Sequence, residues 1–185
     1  MLDKNISHII RSRKSIYPKD FTGKKINKNI VLEILKNANT APSHRLTQPW
    51  FYKVFSGASK IKLAEEIANY INIKSTPLYD NFIQKITKTS HLICICMRRD
   101  SQESIPEWEE VAATSMAVQN IWLSCVNSNI GGYWSTPKYI VKLNRYLNLA
   151  KGERCLGLFY LGIHNQSQNR TLNRKDIESD TEWFD

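Results

Sequence analysis

The chain has 185 residues, 42% of them hydrophobic and 23% charged, enough for one domain with a buried core and too apolar for a disordered or fibrous chain. No apolar run approaches the ~18 residues that a membrane-spanning helix needs, and the opening MLDKNISHIIRSRKS, interrupted by Asp3, does not read as a secretory signal. Twenty-six basic against seventeen acidic residues give a formal charge of +9, which nucleic acid, a phosphate-bearing cofactor or simple solubility would each explain.

Leu2, Ile6, Ile9 and Ile10 recur at helical spacing and predict a short amphipathic first helix. Residues 11–25 are basic and punctuated by Pro18 and Gly23, which reads as a loop. Asn27 is a candidate N-cap for a helix whose face carries Ile30, Val31, Ile34, Leu35 and Ala38. Prolines at 42 and 49 make 41–50 irregular. Phe51 to Ser56 reads as a strand ended by Gly57, and two helices are expected around 61–71 and after Pro77. HLICICM, 91–97, has the continuous apolar character of a strand buried on both faces.

Ser104 and Glu107 have the spacing of a capping box. The helix they open runs toward Val126 and is apolar around much of its circumference. Asn127-Ser128-Asn129 and Gly131-Gly132 are expected to end it, and His91 and His164, flanking apolar strands, to sit at edges or in loops. A short helical stretch follows near 138–148, then a strand at 155–163. Helices and strands mix without regular alternation, so the fold class is α+β. One domain, 1–185, is expected, with 164–185 as a polar C-terminal arm.

The cysteines, Cys94, Cys96, Cys125 and Cys155, lie in apolar surroundings and read as core residues in a reducing, cytoplasmic compartment. With no second pair at ligand spacing, no metal site is expected. Nucleotide-binding and hydrolase motifs are absent. Three loops are left to carry chemistry. Arg13, Lys14 and Ser15 could clamp a phosphate or form a solvated basic turn. Ala41-Pro42-Ser43-His44 with Gln48-Pro49-Trp50 could read the edge of a heterocycle or simply be an ordered loop. Gly131 to Thr136 pairs glycines, permitting close approach of a flat ligand, with an aromatic wall, or it is a helix end beside a buried tryptophan. Together they supply what a flavin mononucleotide needs.

The order of these segments resembles the FMN-dependent nitroreductase family. Arg13-Lys14-Ser15 matches its R-R-S segment, Ala41 to Trp50 its A-P-S-H-x-x-x-Q-P-W segment, WEEVAATSMAVQNIWLSC its internal helix, Gly131 to Thr136 its G-x-x-W segment and Gly157 to Gly162 a G-x-x-Y-L-G strand. The resemblance implies a sandwich with a central, mostly antiparallel sheet flanked by helices, and an intertwined homodimer with FMN at the interface. Arg13, Lys14 and Ser15, joined by Arg174 and Lys175, would hold the phosphate and the pyrimidine side. His44 and Gln48 would reach the flavin from the other subunit. Trp134, Ser135 and Thr136 would line the ring. Tyr17 stands where the family often has a cation near flavin N1 and O2.

The implied activity is ping-pong transfer of a hydride from NADH or NADPH through flavin N5 to a nitroaromatic, quinone or activated enone. Alternatives are a flavoprotein of the same fold with another substrate (a dehalogenase, an enone reductase or a flavin-modifying enzyme) and, from the charge alone, a basic nucleic-acid-binding module. Neither nucleic acid nor membrane is expected as a partner.

Overall fold

The computed structural model describes residues 2–166 and 173–184. Its centre is a sheet of four strands, β1 (Trp50–Ser56), β2 (His91–Arg98), β3 (Ile130–Ser135) and β4 (Glu153–Ile163). They pair antiparallel in the order β1-β2-β4-β3. The period-2 alternation of β2 sets the layering. Leu92, Cys94 and Cys96 enter one core cluster, with Leu158 and Tyr160 of β4 beside them. Ile93 and Ile95 enter the other, with Phe159 and Leu161. A register shift between Ile95 and Cys96 interrupts the β2–β4 ladder.

Helices cover both faces because both faces are apolar. Leu63 and Ile67 of α3 (Gly57–Tyr70), Ile86 of α4 (Pro77–Lys88) and Leu143 of the short α6 (Leu143–Tyr146) bury into the first cluster. Val31 and Ile34 of α2 (Lys28–Ala38) and Ala113, Ala117 and Ile121 of α5 (Glu107–Leu123) bury into the second. The result is the α+β arrangement of an antiparallel sheet between helical layers. All four cysteines are free and buried, and burial pushes the Cys125 thiol up to about 12.

The first helix, α1 (Lys4–Ser12), is different: it is capped by Asp3, whose carboxylate accepts from the amides of Asn5 and Ile6, yet it buries no residue. Leu2, Ile6 and Ile10 are 87%, 58% and 52% exposed. Ile177, Trp183 and Phe184 are likewise exposed in the C-terminal stretch. Part of the expected 164–185 arm, residues 167–172 and 185, lies outside the described residues.

Three local expectations are corrected. Ser104 caps no helix: its hydroxyl donates to Asp100, and α5 begins at Glu107 after Pro106. Gly131 and Gly132 end no helix either; they lie inside β3. Their missing side chains make room for protein, not for a flat ligand. A Cβ on Gly131 would stand 2.5 Å from Ile16, and one on Gly132 2.1 Å from Phe159. Both histidines placed at edges or in loops are buried, His91 at 7% and His164 at 3% exposure.

Candidate functional site

The segment after α1 is fixed against β3. The Ile16 amide donates to the Gly132 carbonyl at 3.0 Å, and the Trp122 indole N–H donates to the same oxygen at 2.9 Å. Ile16 is thereby buried, and Arg13, Lys14 and Ser15 just before it are half-buried over the end of α5. The Arg13 guanidinium lies over the Trp122 ring, 5.3 Å from its centroid. Burial, and then the like charge of Arg174, lower the Arg13 pKa. The charge of Arg174 is thus felt at Arg13, and two such cations are donors of the kind a dianionic phosphate needs. Lys14 is close enough to His164 to add to the lowering that burial imposes on that imidazole. Lys175 follows Arg174 in exposed chain.

Tyr17 turns toward the α4 side of the sheet and packs on Tyr133, ring centroids 4.7 Å apart. They line a cavity of about 400 Å³ with Lys19, Phe82, Lys85 and Ser135. Alternation along β3 separates the remaining residues of that segment. Ser135 shares the face of Tyr133 and opens on this cavity. Trp134 packs on the opposite face near Trp122, its indole N–H buried without a partner among the described residues. Thr136 is exposed beyond the strand.

His44 and Gln48 stand elsewhere. Their loop is tied down by Trp50, whose indole N–H donates to Asn39 at 3.0 Å, and by the Gln48 amide donating to the Ser43 hydroxyl. Arg45, Leu46 and Gln48 all have positive φ, at 52°, 55° and 44°. Each costs roughly 1–2 kcal/mol for a residue with a Cβ, and such strain tends to gather at ligand clamps. The Thr47 hydroxyl is buried there without a partner among the described residues, and Leu46 is 79% exposed. The His44 Nδ1 lies 2.5 Å from a Glu109 carboxylate oxygen at the start of α5.

Within one chain, then, the expected residues form two groups. Arg13 meets α5 at Trp122 and His44 meets it at Glu109. Thirteen residues at ~1.5 Å each separate these points by about 20 Å. The residues missed in the sequence are Phe82, Lys85, Tyr160 and Glu109, while Tyr133, part of the expected aromatic wall, does line the cavity. A signal for the first two was present, since Leu78, Phe82 and Lys85 fall on one helical face at spacings of four and three.

Among the described residues no helix is long and apolar enough to cross a membrane, and no group of three or more His, Cys, Asp or Glu residues could hold a metal ion.

A family model described as "Nitroreductase family" matches residues 10–163. YfhC of Bacillus subtilis, which bears the provisional name of an NAD(P)H nitroreductase, is 28% identical over 167 residues, covering 86% of this chain and 84% of its own. A nitroreductase-like family protein from Bacillus cereus superimposes with a TM-score of 0.86 at 23% identity, over 100% of this chain and 98% of that one. The FMN-dependent nitroreductase NfnB from Mycobacterium smegmatis, solved with NADPH, gives 0.72 at 15% identity, over 97% and 98%.

Proposed function

Because this chain belongs to the nitroreductase family, we propose that it is an FMN-dependent oxidoreductase that uses NADH or NADPH to reduce an electron-poor acceptor (a nitroaromatic, quinone or activated enone). It works as a single domain, 1–185, in a homodimer with the flavin at the interface. The observation that carries this reading is Arg13, held half-buried over Trp122 with Lys14 and Ser15 beside it by the Ile16–Gly132 hydrogen bond, with the charge of Arg174 within electrostatic reach. An anion there would offset both the burial of Arg13 and the repulsion it feels from Arg174. The related proteins point the same way: NfnB is an FMN enzyme solved with NADPH, and YfhC is named for NAD(P)H.

Bound flavin would supply the two-electron chemistry, accepting hydride from the dinucleotide and passing it to the acceptor in turn. The chain's own residues bind and orient. Arg13 and Arg174 neutralise the phosphate, with the Ser15 hydroxyl and Lys14 at hand and Lys175 adding charge. Tyr17 and Ser135 border the ring-side cavity, and Lys19 and Lys85 bring to it the positive charge that Tyr17 lacks. Trp134 and Thr136 flank Ser135 in the chain but do not line this cavity, Trp134 packing on the opposite face beside Trp122. His44 and Gln48, about 20 Å away along α5, serve the partner's flavin. This requires a second copy, and the bare apolar face of α1 is a surface it would cover. The C-terminal arm, with Trp183 and Phe184 exposed, docks on the same partner.

Purified protein should be yellow and dimeric, with visible flavin bands bleached by NAD(P)H in the absence of oxygen. A colourless monomer that takes up no FMN overturns the reading.

A further inference from the structure

The cavity beside Tyr17 does not end there. A second one, of about 410 Å³, lies along the same face of α4 and shares Lys19, Phe82 and Lys85 with it. Its remaining walls are Ile71, Ile73 and Leu78 with Asn81, Gln84 and Lys88. The two form one groove, within the size range of small-molecule sites. Its character changes along its length. Near Ser135 it is bordered by Tyr17, Tyr133 and Tyr160, surfaces suited to a planar ring. Lys19 and Lys85 border both cavities, Lys88 lines only the second, and neither cavity is lined by an acidic residue.

The arrangement follows from α4 itself. Leu78, Phe82, Lys85 and Lys88 recur every three or four residues and so share one helical face. An ordinary amphipathic helix would keep its lysines on the side away from apolar neighbours. Here two of them border the same apolar groove as Leu78 and Phe82. Three cations along such a groove favour an anion, and because Lys88 lines only the cavity away from the tyrosines, the groove suits a ligand that carries its charge on an arm.

We infer that this groove is the substrate channel of the proposed flavin site, and that it selects ligands with a flat aromatic ring bearing an anionic arm, with Lys19 and Lys88 taking the arm. Two sources have that chemistry: a carboxylate-bearing nitroaromatic acceptor and the pyrophosphate-linked nicotinamide of the donor. The inference rests on the flavin reading for the position of the reacting end. The groove's preference is measurable without turnover.

The test is calorimetric titration of the oxidised, flavin-loaded dimer with 4-nitrobenzoate, nitrobenzene and NADP⁺, repeated on Lys88→Gln and Lys19→Gln. 4-Nitrobenzoate should bind tighter than nitrobenzene by roughly three- to tenfold, as expected for one partly exposed ion pair. Lys88→Gln should remove most of that ratio, and added salt should weaken it. Loss confined to 4-nitrobenzoate identifies the acceptor as the anionic ligand; loss confined to NADP⁺ identifies the donor. Equal binding of neutral and anionic probes, or no change in either variant, overturns the inference. A protein that holds no flavin overturns the functional reading instead, and the visible spectrum separates the two failures.

Discussion

The two ends of α5 show how differently one helix can be used. At its C-terminal end Trp122 is clamped to β3, and Arg13 lies across it, within reach of the charge of Arg174. That end is cationic, half-buried and held by backbone hydrogen bonds. At the N-terminal end Glu107, Glu109 and Glu110 occupy the first turn, where the helix dipole favours negative charge. The loop bearing His44 meets Glu109 there, with three of its residues in left-handed conformation. One end has cations waiting for an anion, while the other has a strained, exposed polar loop with an acid already in place. Neither is complete as a flavin site, and a single chain keeps them apart. A two-fold axis that sets one end against the other end of a second copy would complete both.

The strongest way to break this comparison is to prevent the second copy from docking. Ile6→Asp with Ile10→Asp changes two residues already more than half exposed, so the isolated chain should lose little stability, within about 0.5 kcal/mol per exposed site. If α1 is covered in the dimer, each isoleucine left without its apolar partner surface weakens association by about 1.5–3 kcal/mol, and the two-fold symmetry repeats that penalty on the second chain. Sedimentation should then show monomer at micromolar concentration, and the visible flavin bands should vanish with it. Retention of flavin by a demonstrated monomer would disprove the shared site.

A smaller effect separates the two ends from each other. Arg13→Ala removes a charged donor from the phosphate, a loss of about 1.5–3 kcal/mol, or roughly a ten- to hundredfold weaker FMN Kd. The variant should stay dimeric, because Arg13 is engaged with Trp122 within its own chain. Fluorescence titration of the apoprotein with FMN, beside sedimentation, checks both halves of that expectation. Unchanged affinity would remove the phosphate from this end of α5.

The layers were legible in the sequence and the site only in pieces, for a physical reason. Burial writes itself into periodicity: HLICICM announced a strand covered on both faces, and Ile30 to Ala38 announced a helix with an Asn27 cap, which accepts from the Asn29 amide. Pairings between distant segments leave no such period. Nothing local said that Ile16 would pair with Gly132, or that Gly131 and Gly132 would yield their space to Ile16 and Phe159. The β3 alternation that divides Trp134 from Ser135 was hidden because two glycines erased half of its pattern. The Ser104 cap failed because Asp100 captured the hydroxyl first. Lys85 and Lys88 were readable in principle, since their spacing from Leu78 and Phe82 marks one face. A lysine on an otherwise apolar face is easily mistaken for a boundary.

The finest distinction between the two ends concerns His44. Its side chain is 54% exposed and its partner Glu109 22%, so solvent screens the pair and His44→Ala should cost the fold less than about 1 kcal/mol. Thermal melting of the apoprotein should barely register it. The loop itself should survive as well, because Trp50 to Asn39 and Gln48 to Ser43 hold it independently of the imidazole. The effect belongs on the partner's flavin, where the loss of one polar contact of about 0.5–1.5 kcal/mol corresponds to an FMN Kd raised roughly two- to tenfold. Mixed dimers make the test specific. When one subunit carries Arg13→Ala and the other His44→Ala, a shared site places both lesions at the same flavin and leaves the second flavin intact. Biphasic FMN titration, with one class of site at wild-type affinity, is therefore expected. Two weakened sites, neither of them at wild-type affinity, would instead mean that each chain serves its own cofactor.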